Sequence, residues 1–416
     1  MSRSGKFESE WPVDVYFLRA AQVASCLPDR WRVLYRYFAR EKGLFFGTPF
    51  IQSIMRELVN SIPGLPAEHL PVVRALPEGT EFEAKQCIME IDTPFEVSVA
   101  AETSILGILS LCGAAYRMRR IVEAAKGRPV FAFEARHYPP SMSALTACAA
   151  KLGGASGTSS TVGSDLANTY PFCTGVLQDW PEGASWPTFV DKPVGTNPHA
   201  SATIMPNGAD DHFLVDGVPI QFKSPADLPE VRNAEIFLSI MPGIPSLVLN
   251  DFSGRELDAS RAAVEHLGSY EHFWGVRCDT CGERFHQGAR WAGNSNMDKI
   301  VSEWKANSDT QMLWTEGKGV TVELLRNVRK AMDEVGGQKF KIMASSGFND
   351  EKTAFFEQAG APFDSVGTGS FVHLIGVTAD IVGRRKAKDD PWEPCVKAGR
   401  EWLMNQMPEG LLEVPL

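Results

Sequence analysis

Lys192-Pro193-Val194-Gly195-Thr196-Asn197-Pro198-His199 is the stretch that decides the fold. A short apolar approach ends in a Gly-Thr turn, and a histidine follows a proline. Four later segments repeat this layout, an apolar run with an abrupt polar or glycine-rich tip: Ser246–Asp251, Phe273–Asp279, Phe340–Gly347 and Phe363–Gly369. In a parallel α/β barrel all strands point one way, so their C-terminal tips and the loops after them share one mouth. If these five segments are such strands, His199, Asp251, Arg277, Asp279, Gly347 and Gly367 converge there.

Outward from this core the rhythm is strand, loop, helix. Pro129–Phe133 reads as a strand ending at Glu134-Ala135-Arg136-His137, and Ser141–Leu152 as its helix. Arg255–Leu267, Asn294–Asn307, Thr321–Glu334 and Asn349–Ala359 read as helices, the last with Asn349 as N-cap. Leu166–Asp191, rich in Pro, Trp and Gly, reads as an irregular insertion, and Asn207–Glu230 as a hairpin or irregular excursion. Such alternation implies a mostly parallel sheet. A closed α/β barrel with irregular segments is the expected form, an open doubly wound sheet the second. Before it, Asp14–Ala20 begins a helix, Pro49–Ile62 is another, and Val72–Val99 breaks into short strands. Glu102–Ala125 reads as one long helix, with Ile105, Ile108, Leu109, Cys112 and Tyr116 on one side. Residues 1–125 then form an N-terminal α+β domain, completed by the tail 385–416, and residues 126–384 the barrel.

The 416 residues exceed one ordinary core. A net charge of −10 argues against nucleic acid or an anionic membrane as partner, while leaving room for a small anion at a local arginine cluster. Met1–Asp14 is polar and lacks the apolar core of a secretory signal. The most apolar window, Ile105–Ala115, is too short to span a bilayer. Eight scattered cysteines suit reduced, cytoplasmic usage.

Several residues could carry chemistry. Ala344–Gly347 and Gly367–Ser370 are small-residue loops after apolar strands, suited either to cradling phosphate with backbone N–H groups or to simple tight turns. Asp251 and Asp279 could hold Mg²⁺, bind ribose hydroxyls, stabilise a cationic sugar, or merely cap and pair. Arg136 and Arg277 suit phosphate or carboxylate, or a rim ion pair. His199 could be base, metal ligand, nucleophile or structural. Tyr16, Phe133 and the Tyr35/Tyr37 pair could stack on a flat ring or fill a core. Cys278 and Cys281 form a C-x-x-C with only His286 nearby, so no metal site is assigned.

Taken in order, nine motifs resemble the type II phosphoribosyltransferases, nicotinate phosphoribosyltransferase and its nicotinamide relative in particular. They are Asp14–Phe17, Leu76–Thr80, Glu102–Gly107, Phe133–Arg136, Gly157–Ser160, Gly195–His199, Gly275–Thr280, Ser345–Asn349 and Gly367–Gly369. The resemblance implies an irregular parallel α/β barrel with an N-terminal α+β domain. It implies a homodimer with shared active sites, in which Tyr16, Arg40 and Lys42 of one subunit reach the other. The implied reaction joins nicotinate to 5-phosphoribosyl-1-pyrophosphate, giving nicotinate mononucleotide and pyrophosphate with Mg²⁺. ATP hydrolysis is coupled through a phosphohistidine, in NAD biosynthesis.

By the same resemblance His199, Asp251 and Asp279 are catalytic, His199 being the phosphorylated residue. Tyr16, Phe133, Arg277 and Ser159 surround the base. Arg40, Lys42, Arg136, Thr196, Ser346, Gly347, Gly367, Thr368 and Gly369 surround the phosphates and phosphoribosyl group. Two departures stand out: His137 replaces a second arginine, and Cys281 replaces a small residue or proline. They leave room for nicotinamide or another heteroaromatic base. A non-catalytic binder of phosphoribosyl metabolites is the alternative from another class.

Overall fold

Parallel strands covered on both faces read as unbroken apolar runs, whereas antiparallel strands tolerate a polar face; both kinds occur in this chain. The computed structural model describes residues 13–27, 30–60, 70–169, 197–205, 211–241, 243–406 and 408–416. In chain order the strands are β1 Arg32–Ala39, β2 Gly43–Leu44, β3 Val72–Ala75, β4 Glu81–Phe82, β5 Cys87–Pro94, β6 Val130–Ala132, β7 Gly157–Thr158 and β8 His212–Val215. They continue as β9 Val218–Gln221, β10 Ser246–Leu249, β11 Phe273–Cys278, β12 Lys341–Ala344, β13 Ser365–Thr368, β14 Val377–Arg385, β15 Glu393–Pro394 and β16 Leu412–Val414.

The first sheet has the order β15-β14-β1-β5-β3-β16 and is antiparallel throughout. Its last strand, β16, comes from the tail and pairs with β3. Charged residues inside it are paired: Arg32 binds Asp92 at 2.9 Å and Arg36 binds Glu90 at 3.0 Å. The helix Thr48–Asn60 packs beside the helix Phe95–Leu109.

The second sheet has the order β10-β11-β12-β13-β6-β7, all parallel. It is curled. Arg277 on β11 and Phe133 just beyond β6 lie three strand spacings apart, which would be roughly 14 Å on a flat sheet. Yet the guanidinium sits 4.6 Å from the Phe133 ring centroid. Phe131, Leu247 and Met343, from β6, β10 and β12, meet on the concave side with Phe133 packed against them. A half-barrel is therefore present. Among the described residues β10 and β7 remain its edges, so the expected closure is not seen there. The predicted strand before His199, at Lys192–Thr196, lies outside the described residues, as does Leu166–Asp191 after residue 169.

Two helices depart from the sequence reading. The expected single helix over Glu102–Ala125 is two, Phe95–Leu109 and Cys112–Ala124. The Ser110 carbonyl accepts from the distant Ile375 N–H at 3.0 Å instead of continuing the helix. The pair's most apolar window is 67% buried, so its apolarity serves the interior. The helix Pro229–Ile240 begins where the expected excursion Asn207–Glu230 ends, over residues the sequence reading leaves unassigned. Its charged residues face inward: Glu235 accepts from the Lys223 and Ser224 amides, and Arg232 binds Asp211 at 3.0 Å. Buried charge hid the amphipathic pattern. Within that excursion the hairpin alternative holds, β8 and β9 turning at Asp216-Gly217.

Candidate active site

Parallel packing brings the tips of β10, β11, β12, β13 and β6 together. His199 opens the short helix His199–Ala202, and Asn197 ties this segment to β10 by donating to Ser246 Oγ at 3.1 Å. Asp251, just beyond β10, is nearly buried, and its Oδ1 lies 2.9 Å from His199 Nε2. This hydrogen bond raises the histidine's proton affinity above its ordinary value, with further help from the Asp251 charge and the more distant Asp279, against partial burial and Arg277. With Nε2–H engaged by the carboxylate, the neutral ring keeps its lone pair on Nδ1.

The next strand supplies a second cluster. Arg277 donates from Nη2 to Asp279 Oδ2 at 3.0 Å and from Nε to Ser345 Oγ at 2.8 Å. Ser345 Oγ in turn lies 2.7 Å from Asp279 Oδ1. The serine hydroxyl thus links arginine and aspartate, with the guanidinium over Phe133. Behind this, Glu256 is fully buried and accepts from Thr280 Oγ1 at 2.8 Å, the Gln287 amide at 2.9 Å and Arg284 at 2.7 Å. Arg284 also donates to the Asp251 carbonyl at 2.9 Å. One buried carboxylate therefore holds the loop after Asp279 against the loop after Asp251.

The glycine loops divide their work. Gly347 has a φ of +71° and open space where a side chain would stand. Ser346, before it, is also left-handed, at +76°. Gly367 and Gly369 instead make room for rings: a Cβ would fall 2.3 Å from Phe133 at Gly367 and 1.9 Å from His137 at Gly369. Thr368 is buried, and its Oγ1 donates to the Phe348 carbonyl at 2.6 Å, joining the two loops. Ser159 N donates to the Ala132 carbonyl, which sets it beside Phe133. Glu134, fully buried, accepts from Thr158 Oγ1 and, at 2.6 Å, from Ser160 Oγ, fastening this corner.

Tyr16, Arg40, Lys42 and Arg136 take no part in these hydrogen bonds. Tyr16 is 56% exposed on the helix Val15–Ser25, beside Phe17. Arg40 is exposed, its amide bound to the Gly376 carbonyl. Lys42 pairs with Glu81 and Glu83. It lines a cavity of about 470 Å³ with Tyr116, Arg117, Asn349, Ser370 and His373. Arg136 is exposed on the turn after β6. Thr196 lies outside the described residues. Cys278 is buried and Cys281 exposed, so the C-x-x-C is split between core and surface. Among the described residues no three metal-ligating side chains converge.

Sequence reading missed Lys352. Its ammonium donates to the Ser346 carbonyl at 2.9 Å from the first turn of the helix Asp350–Gln358. It is 8% exposed, and burial lowers its pKa to about 8 despite Asp279 nearby. The available signal was its position three residues after the cap Asn349, directly behind the Ser346-Gly347 turn.

Residues 14–112 match the quinolinate phosphoribosyl transferase N-terminal domain family. No curated protein matches the chain. Among solved structures, nicotinate-nucleotide pyrophosphorylase from Pyrococcus furiosus is similar over 93% of this chain and 77% of its own, with a TM-score of 0.61 at 22% identity. Human nicotinic acid phosphoribosyltransferase is similar over 90% of this chain and 75% of its own, with a TM-score of 0.52 at 16% identity. The chain therefore shares the fold of these two enzymes, and its N-terminal residues 14–112 carry the match to the quinolinate phosphoribosyl transferase N-terminal domain.

Proposed function

We propose that the chain is a pyridine phosphoribosyltransferase of NAD biosynthesis, with nicotinate as its base and 5-phosphoribosyl-1-pyrophosphate as donor. The observation that carries this is the Arg277–Phe133 stack, its guanidinium bound by Asp279, with both charges felt by His199 in its pair with Asp251. The base nitrogen attacks C1 of the ribosyl group while the C1–oxygen bond breaks and pyrophosphate leaves. Asp279 and Asp251 offer negative charge where the sugar becomes cationic. The Phe133 face and the Arg277 cation hold a flat, anionic ring in line for attack. The Gly347 amide, open to the mouth, receives the 5-phosphate.

Mg²⁺ would be held by Asp251, whose Oδ2 is not used by His199, together with donor phosphates; one or two carboxylates plus substrate phosphates is the usual set for this ion. When bound it offsets the charge of the leaving pyrophosphate. ATP enters through His199: Nδ1 takes the γ-phosphoryl group, ADP leaves, and water later releases phosphate. Tyr16, Arg40 and Lys42 would complete the site from a second copy, an arrangement the exposure of Tyr16 and Arg40 on the N-terminal domain supports.

The second reading is another pyridine as base, favoured by the N-terminal match to the quinolinate family and by His137 against Gly369. The test is pyrophosphate release across nicotinate, nicotinamide and quinolinate, with and without ATP. Release specific to nicotinate and stimulated by ATP is expected, with the stimulation absent in His199→Ala. Release with quinolinate alone would select the second reading.

A further inference from the structure

The Ser346-Gly347 turn places two consecutive residues in the left-handed region, where a serine is strained. Something must hold it. Thr368 Oγ1 holds the far side of the loop through the Phe348 carbonyl, and Lys352 Nζ holds the turn through the Ser346 carbonyl at 2.9 Å. The ammonium lies beside the packed Phe348 and Phe356 rings, 4.5 and 5.5 Å from their centroids. Among the described residues no carboxylate pairs with it. A buried cation with one carbonyl partner is costly unless a negative charge arrives.

Resting on the phosphoribosyl reading of this site, we propose that Lys352 is the positioning residue and internal counter-charge of the 5-phosphate pocket. It clamps the Ser346–Gly347 backbone from behind while the phosphate binds from the mouth.

The charged groups around it are few. Asp279, at the end of β11, favours its protonated form. Asp350 and Glu351 share its helix; Asp350 lies 3.9 Å from Arg120, which also pairs with Glu123 on the helix Cys112–Ala124. Glu316, on the helix Thr310–Glu316, is engaged by Trp291 and Arg290. No neighbour neutralises the ammonium, so the arriving phosphate takes that part. Phosphate binding then draws a proton onto Lys352, whose pKa in the free protein is about 8.

Ribose 5-phosphate is the probe, titrated by calorimetry between about pH 7 and pH 9.5, where a phosphomonoester is already a dianion. Wild-type affinity is expected to be flat up to about pH 8 and then to weaken by up to about tenfold per pH unit. Lys352→Met is expected to bind about tenfold more weakly at pH 7 and to show no pH dependence. Lys352→Arg, which stays charged, is expected to restore binding at pH 7 and to keep it at pH 9.5. Equal binding by wild type and Lys352→Met at pH 7, or a wild-type profile flat to pH 9.5, would overturn the role of Lys352 alone. Failure of the wild-type chain to bind ribose 5-phosphate at any pH would overturn the phosphoribosyl reading with it.

Discussion

Asp251→Asn separates the His199 pair from everything around it. The substitution keeps volume and shape but replaces the anionic acceptor with a neutral amide. Asp251 is nearly buried, while the His199 side chain is 43% exposed. A buried charge-assisted hydrogen bond contributes about 1.5–3 kcal/mol, and solvent screening of the half-exposed ring reduces this to about 1 kcal/mol. The pH dependence is more telling than the size. A histidine whose proton affinity is higher in the folded chain adds stability that is fully present below its unfolded pKa of about 6.5 and fades as pH rises through the raised folded value. Asp251→Asn should therefore cost about 1 kcal/mol in urea unfolding near pH 5.5 and much less near pH 8.5. In parallel, the His199 ring resonance should titrate at lower pH in the variant than in the wild type. An unchanged His199 titration, or an equal stability loss at both pH values, would refute the pairing.

Other substitutions probe the scaffold. Ser345→Ala removes the hydroxyl shared by Arg277 and Asp279 and should cost about 1–3 kcal/mol in denaturant unfolding, with a larger fall in kcat/KM than Asp279→Asn adds on top of it. Glu256→Ala leaves Arg284 and Thr280 without their buried acceptor and should cost about 3–5 kcal/mol by the same measurement. Gly367→Ala drives a methyl group into Phe133 and should raise KM for the base more than for the phosphoribosyl donor, read by steady-state kinetics.

Much of this architecture was legible because parallel strands advertise themselves. The runs at Ser246–Leu249, Phe273–Cys278, Lys341–Ala344 and Ser365–Thr368 are all strands, and their polar tips do converge. Caps such as Asn349 and Thr321 act through their own side chains on amides three residues on, so they too are local and readable. What escaped is long-range. The break at Ser110 depends on Ile375, the helix Pro229–Ile240 is disguised by charges satisfied from Ser224 and Asp211, and Lys352 looks like a surface helix residue until the Ser346 turn folds over it. The glycines at 367 and 369 read as a phosphate loop, but their missing side chains are explained by Phe133 and His137, contacts that spacing along the chain does not encode.

The most direct measurement is pyrophosphate release from 5-phosphoribosyl-1-pyrophosphate with Mg²⁺, comparing nicotinate with no base, each with and without ATP, in the wild-type chain and in Arg277→Ala. Release that needs nicotinate, rises with ATP and is lost in Arg277→Ala is the predicted result. Release that is indifferent to nicotinate, or unchanged when Arg277 is removed from Phe133, would contradict a base-binding site at this stack.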